Sequence, residues 1–80
     1  MDLGRPAEAE EDYRLALAAA REAGDRPTEA EALRSLARSL KTLSRLAEAQ
    51  AALREALALF EALGSPEAAV TRGLLAEFTG

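Results

Sequence analysis

LGRPAEAEEDYRLALAAAREAGD, residues 3–25, and LSRLAEAQAALREALALFEALGS, residues 43–65, say nearly the same thing forty residues apart. Laid over one another without a gap they agree at ten of twenty-three positions, among them Arg5/Arg45, Glu8/Glu48, Arg14/Arg54, Leu17/Leu57 and Gly24/Gly64. A chain rich in alanine matches itself by chance at some positions. Chance does not also align the glycines that end both stretches or the L-x-R-x-A-E-A that opens them. The chain therefore carries an internal repeat, the mark of an architecture in which each unit buries its apolar face on its neighbours.

Outward from the repeat, the composition is that of helices. Ala, Leu, Glu and Arg dominate, and β-branched residues are confined to Val70 and the threonines Thr28, Thr42, Thr71 and Thr79. Punctuation divides the chain into four segments. Pro6 suits a first helical turn and Gly24 a left-handed C-terminal stop. Pro27 and Thr28 open the second segment, Thr28 and Glu31 having capping-box spacing, with a start one or two residues earlier left open. Ser44 and Arg45 break the second from the third, and Gly64-Ser65-Pro66 reads as stop, cap and first turn. Helices are expected over 6–23, 27–43, 46–63 and 66–78.

Each segment carries an apolar stripe at helical spacing: Ala9, Tyr13, Ala16, Leu17 and Ala20; Leu33, Leu36, Leu40 and Leu43; Leu53, Ala56, Leu57, Phe60 and Leu63; and Val70, Leu74 and Phe78 with Leu75 beside them. Short loops between such helices force antiparallel hairpins. The expectation is a single all-α domain over 1–80.

The stretch from Ala30 to Leu59 resembles a tetratricopeptide repeat. Leu33, Leu36, Ala37 and Leu40 match the large and small positions of that family's first helix, helix A. Ala49, Leu53, Ala56, Leu57 and Leu59 match its second, helix B. Ser44 stands where the turn glycine is usual, and Gly4 restores that glycine in the earlier copy. The forty-residue unit with its E-A-L-G ending also resembles repeats of large bacterial signalling and regulatory proteins. The resemblance implies a right-handed solenoid of antiparallel hairpins with a half repeat at 1–25, a full repeat at 26–64 and a half repeat at 65–80.

Composition bears on function chiefly by what it lacks. Without cysteine or histidine, disulfides, most zinc sites and Cys-His or Ser-His nucleophile systems fall away. Ser35 and Ser39 lie a turn apart without a base partner, so no catalytic residue and no enzyme activity are expected. The acidic cluster Glu8, Glu10, Glu11 and Asp12 spreads around more than half a helix and reads as a solvated face near a positive helix N-terminus, so neither a metal site nor a cofactor is expected. A net charge of -4 argues against nucleic acid and anionic membrane as partners. The longest apolar run, Leu15 to Ala20, is far short of the roughly 20 residues that span a bilayer. No leader-like segment precedes a cleavage-like site, and a cytoplasmic location is expected.

What remains is protein–protein interaction. The resemblance implies a peptide or a partner's helix bound in the groove lined by A helices, whose facing residues here are Glu31, Arg34, Arg38, Lys41 and Thr42, with Arg72 as the next helix's counterpart of Arg34. Residues 28–45 carry four basic and two acidic groups, whereas residues 6–26 carry three basic and six acidic. A basic groove in an acidic molecule favours an acidic peptide or a terminal carboxylate. Leu74, Leu75 and Phe78 have no following helix B to cover them, so self-association into a homodimer through this face is also expected. The alternative role is a structural self-assembly element, or a fragment of a longer solenoid in a bacterial regulatory protein.

Overall fold

A computed structural model describes residues 5–78, apart from the side chain of Pro6. It contains four helices: α1 (Pro6–Ala23), α2 (Arg26–Thr42), α3 (Leu46–Ala62) and α4 (Glu67–Ala76), with no strand among the described residues. The all-α class and the helical-repeat order expected from the sequence are both present. Gly4 and Thr79 lie outside the described residues.

The forty-residue repeat resolves into a shorter beat. Gly24, Ser44 and Gly64 all adopt left-handed backbone, with φ of 69°, 62° and 65°. At each turn the following N–H reaches back to a carbonyl five residues earlier: Asp25 to Ala20 at 2.9 Å, Arg45 to Leu40 at 2.8 Å and Ser65 to Phe60 at 2.9 Å. This is the Schellman arrangement that satisfies the last carbonyls of a helix. Ala20, Leu40 and Phe60 are all buried, so each stop signal is anchored in the core. Ser44 performs the glycine's role with a Cβ attached, a conformation that costs an L-residue about 1–2 kcal/mol.

The cap of α2 and the start of α4 differ from expectation. The cap of α2 is Asp25, whose carboxylate accepts from the Thr28 N–H at 3.3 Å and from its hydroxyl at 2.7 Å. With the helix beginning at Arg26, Thr28 already lies inside the first turn and donates to a cap instead of providing one. At α4 the Ser65 hydroxyl does accept from Glu67 N–H, at 3.1 Å, but Pro66 stays outside the helix and Glu77 and Phe78 form a closing turn.

The core lies along α2 and α3. Leu33, Leu36, Ala37 and Leu40 face Ala49, Leu53, Ala56 and Phe60, and Leu17 joins them from α1. Ala30, Ala49 and Ala56 are completely buried, the small positions that let helix backbones approach. Of the stripe expected on α4, Leu74 and Phe78 pack against the core with Leu75, but Val70 is 53 % exposed, and Ala68 and Thr71 point inward instead. Thr71 can be fully buried because its hydroxyl donates to the Glu67 carbonyl at 2.8 Å.

Each helix packs on its successor, and ion pairs join helices two apart. Arg14 and Arg21 of α1 meet Glu48 and Glu55 of α3, at 3.6 and 3.1 Å. Arg34 and Lys41 of α2 meet Glu67 and Glu77 of α4. In both sets the residue numbers rise together. Hence α1 runs parallel to α3 and α2 to α4, with the turns reversing direction between.

Candidate interaction surfaces

Arg34, Arg38 and Lys41 emerge from α2 on the side where α4 lies beside it. Arg34 is largely covered: its guanidinium is paired with Glu67 and sits 5.1 Å from the centroid of the Phe60 ring. Lys41 pairs with Glu77 at 2.9 Å and lies 5.5 Å above Phe78. A cation over an aromatic face gains from the ring quadrupole as well as from its carboxylate. Arg38, between them in the stripe, is exposed and makes no side-chain hydrogen bond or ion pair among the described residues.

The structure therefore brings Arg34, Arg38 and Lys41 to one side but neutralises two of the three. Thr42 is exposed and donates to the Arg38 carbonyl at 3.0 Å; Glu31 is exposed. Arg72 is held by Glu61 of α3 at 2.6 Å and shares no partner with the stripe. A small hollow of about 60 Å³ opens here over Ala37, Leu53, Leu74 and Phe78, with Arg38 and Lys41 at its edge. Leu74, Leu75 and Phe78 are half-buried and pack against the core. Sequence reasoning missed the acidic partners Glu67 and Glu77, because the charge of residues 28–45 leaves out α4, which lies beside α2 only in the fold.

On the α1/α3 side a second, larger charge array appears. Arg45 at the start of α3 pairs with Glu48 and, at 2.7 Å, with Glu10, which in turn accepts from Arg14 at 2.9 Å. Its hydrogen bond with Glu48 raises the Arg45 pKa, with the Glu10 charge adding to it. The same hydrogen bond, reinforced by the charges of Arg45 and Arg14, holds the Glu48 carboxyl below the usual carboxylate range. Glu10 of the predicted solvated cluster is thus part of a four-residue network, and Glu8 pairs with Arg5. The matching i, i+7 spacings of Arg14/Arg21 and Glu48/Glu55 were the available sign of this side.

Leucine and small-residue positions stacked at a repeating helix–turn beat, with each helix covering the next, find an independent counterpart: a family model described as tetratricopeptide repeat matches residues 1–62. The chain belongs to the tetratricopeptide repeat family. Members of this family are in general noncatalytic modules that bind protein partners. No curated protein and no solved structure matches this tetratricopeptide-repeat chain. No helix among its described residues is long and apolar enough to cross a membrane.

Proposed function

We propose that this chain is a noncatalytic interaction module that holds an acidic peptide or partner helix on the α2/α4 side, the groove lined by A helices. What supports the reading is Arg38. It is exposed, unpaired and placed beside an apolar hollow that Leu74 and Phe78 help to form. A carboxylate approaching Arg38 gains charge-assisted hydrogen bonds without first displacing an internal partner, whereas at Arg34 or Lys41 it must compete with Glu67 or Glu77. A neighbouring apolar side chain then enters the hollow. The reading also includes a cytoplasmic scaffold role.

The test is isothermal titration with an acidic peptide. Arg38→Ala is expected to weaken binding by about 1.5–3 kcal/mol, the range for a hydrogen bond to a charged group. Unchanged affinity with intact helicity removes the groove reading.

Self-association is the second reading, and it rests on α4 and the turn before it. Val70 on α4 is 53 % exposed and Leu63 in the turn before it 40 %, and the half-buried Leu74, Leu75 and Phe78 follow along α4 and its closing turn. A homodimer joined there would cover these residues. Sedimentation equilibrium over a hundredfold concentration range decides it: a dimer that Val70→Lys dissociates supports this interface, and a monomer throughout eliminates it.

A further inference from the structure

The internal repeat makes one surface of this molecule a copy of another. Between α1 and α3 lies a cleft of about 230 Å³, with Arg14, Leu17 and Arg21 on its α1 wall and Glu48, Ala52 and Glu55 on its α3 wall. Forty residues on, the α1 wall recurs on α3 as Arg54, Leu57 and Glu61. Glu61 pairs with Arg72 of α4, which puts this stripe on the side where the next helix follows, as the pairing of Arg21 with Glu29 of α2 does for the first. Arg14 finds Glu48 across the cleft. Arg54 is exposed and makes no side-chain hydrogen bond or ion pair among the described residues.

The partner that Arg54 lacks stands on α1. The repeat counterparts of Glu48, Ala52 and Glu55 are Glu8, Asp12 and Leu15, all exposed, Leu15 by 64 %. Glu48 takes Arg45 from its own helix start and Arg14 from the neighbouring helix at once. Glu8 takes Arg5 in the same way, at 3.1 Å, and among the described residues no arginine reaches it from a neighbouring helix. The small positions agree. Ala49 and Ala56 are completely buried opposite α2, whereas their counterparts Ala9 and Ala16 are half-buried and exposed. This face of α1 therefore fits a helix that stands to it as α2 stands to α3. At the other end of the molecule α4 packs on α3 with Val70 uncovered.

We propose that copies of this chain stack head to tail, with α1 of one copy laid along α3 and α4 of another so that Glu8 of the first pairs with Arg54 of the second. The contact repeats in trans the packing of α3 on α1 and α2. Leu15 then comes opposite Glu61, whose carboxylate Arg72 already holds, and beside the half-buried Leu57, so no bare charge meets the leucine. Asp12, one turn from Glu8, adds negative charge to the stripe that approaches Arg54. The proposal rests on the self-association reading for α4 and changes its symmetry. Two different surfaces meet, so each added copy leaves a free surface at both ends, and growth does not stop at two.

The experiment is sedimentation of the full chain over a hundredfold concentration range, with circular dichroism to confirm helicity. The mass of the parent is expected to rise past that of two chains. Arg54→Glu and Glu8→Arg each oppose like charges across the contact, and each is expected to weaken association at least about tenfold. Mixed in equal amounts, the two variants are expected to regain the parent's association. The reversed site of one then meets the reversed site of the other, and their remaining sites form the parent pair. Arg38→Ala is expected to change nothing, which separates this contact from the α2/α4 groove.

Association that stops at two chains overturns the head-to-tail contact. So does association that Val70→Lys removes while both charge reversals leave it intact; either result keeps a symmetric contact through α4. A mixture of the two reversed variants that associates no better than each alone also overturns it. A monomer at every concentration overturns this proposal and the self-association reading together.

Discussion

The α1/α3 and α2/α4 sides of this molecule are joined in the same way and end up different. Both pairs of parallel helices are tied by arginine- or lysine-to-glutamate bridges, two on the α2/α4 side and three on the α1/α3 side, where Arg45 at the start of α3 also reaches Glu10. Beneath the α2/α4 bridges lie the rings of Phe60 and Phe78, with Arg34 and Lys41 resting on them. Beneath the α1/α3 bridges lie Ala51 and Ala52, and a cleft. Side-chain volume under the bridges decides how much room each side leaves, about 60 Å³ on the α2/α4 side and about 230 Å³ between α1 and α3. Ion pairs set which helices face one another. Aromatic rings or alanines set what room is left.

The strongest way to break this contrast is to empty the filled side. Phe60 is 3 % exposed, and Phe60→Ala is expected to cost about 3–5 kcal/mol in urea denaturation. That is most of what a core of this size supplies. The variant also removes the ring from under Arg34. The converse change fills the open side: Ala51→Leu is expected to add about 1 kcal/mol by covering part of a leucine side chain in the cleft. A loss of stability there would mean that the cleft is already packed as tightly as its surroundings allow.

Both sides depend on the turns that bring helices two apart into register, and the three turns are not equally relaxed. Ser44→Gly removes a Cβ from a left-handed residue at the price of a floppier unfolded chain, and is expected to raise stability by under about 1 kcal/mol. Gly64→Ala places a Cβ at φ 65° and is expected to lower it by about 1 kcal/mol, although the Cβ itself meets no neighbouring atom. Equal effects of opposite sign in thermal melts would show that backbone conformation alone governs these positions.

The smallest effect concerns acid. Glu48 has a lower pKa folded than unfolded, so below neutrality the unfolded chain binds its proton first. Its stabilisation is present above the usual carboxylate range and is lost as pH falls through the depressed value. The stability difference between the parent and Glu48→Gln is therefore expected to be largest near neutral pH and to close towards the acid end, in melts recorded as a pH series. A difference that persists in strong acid would mean that Glu48 acts through packing and not through Arg45 and Arg14.

Much of the fold was legible because it depends on local chemistry repeated in register. Gly24 and Gly64 announce their turns, and the spacing of Leu33, Leu36 and Leu40 against Leu53, Ala56 and Phe60 announces the central hairpin. The errors came where one residue competes with a neighbour. Asp25 displaced Thr28 as cap, and Thr71 displaced Val70 from the core, since a threonine that satisfies its own hydroxyl can be buried on an otherwise apolar face.

Of the candidate sites, the membership of the α2 stripe was legible and its charge state was not. The sequence by itself determined helices, their order, the repeat and the family, because propensity, capping and periodicity act within a few residues. Only the tertiary structure decided that Glu67 and Glu77 neutralise Arg34 and Lys41, that Arg38 is left free, and that Ala51 and Ala52 open a cleft between α1 and α3. Those outcomes depend on which side chains meet across helices more than thirty residues apart, where charge and volume act through space and leave no local periodicity to read.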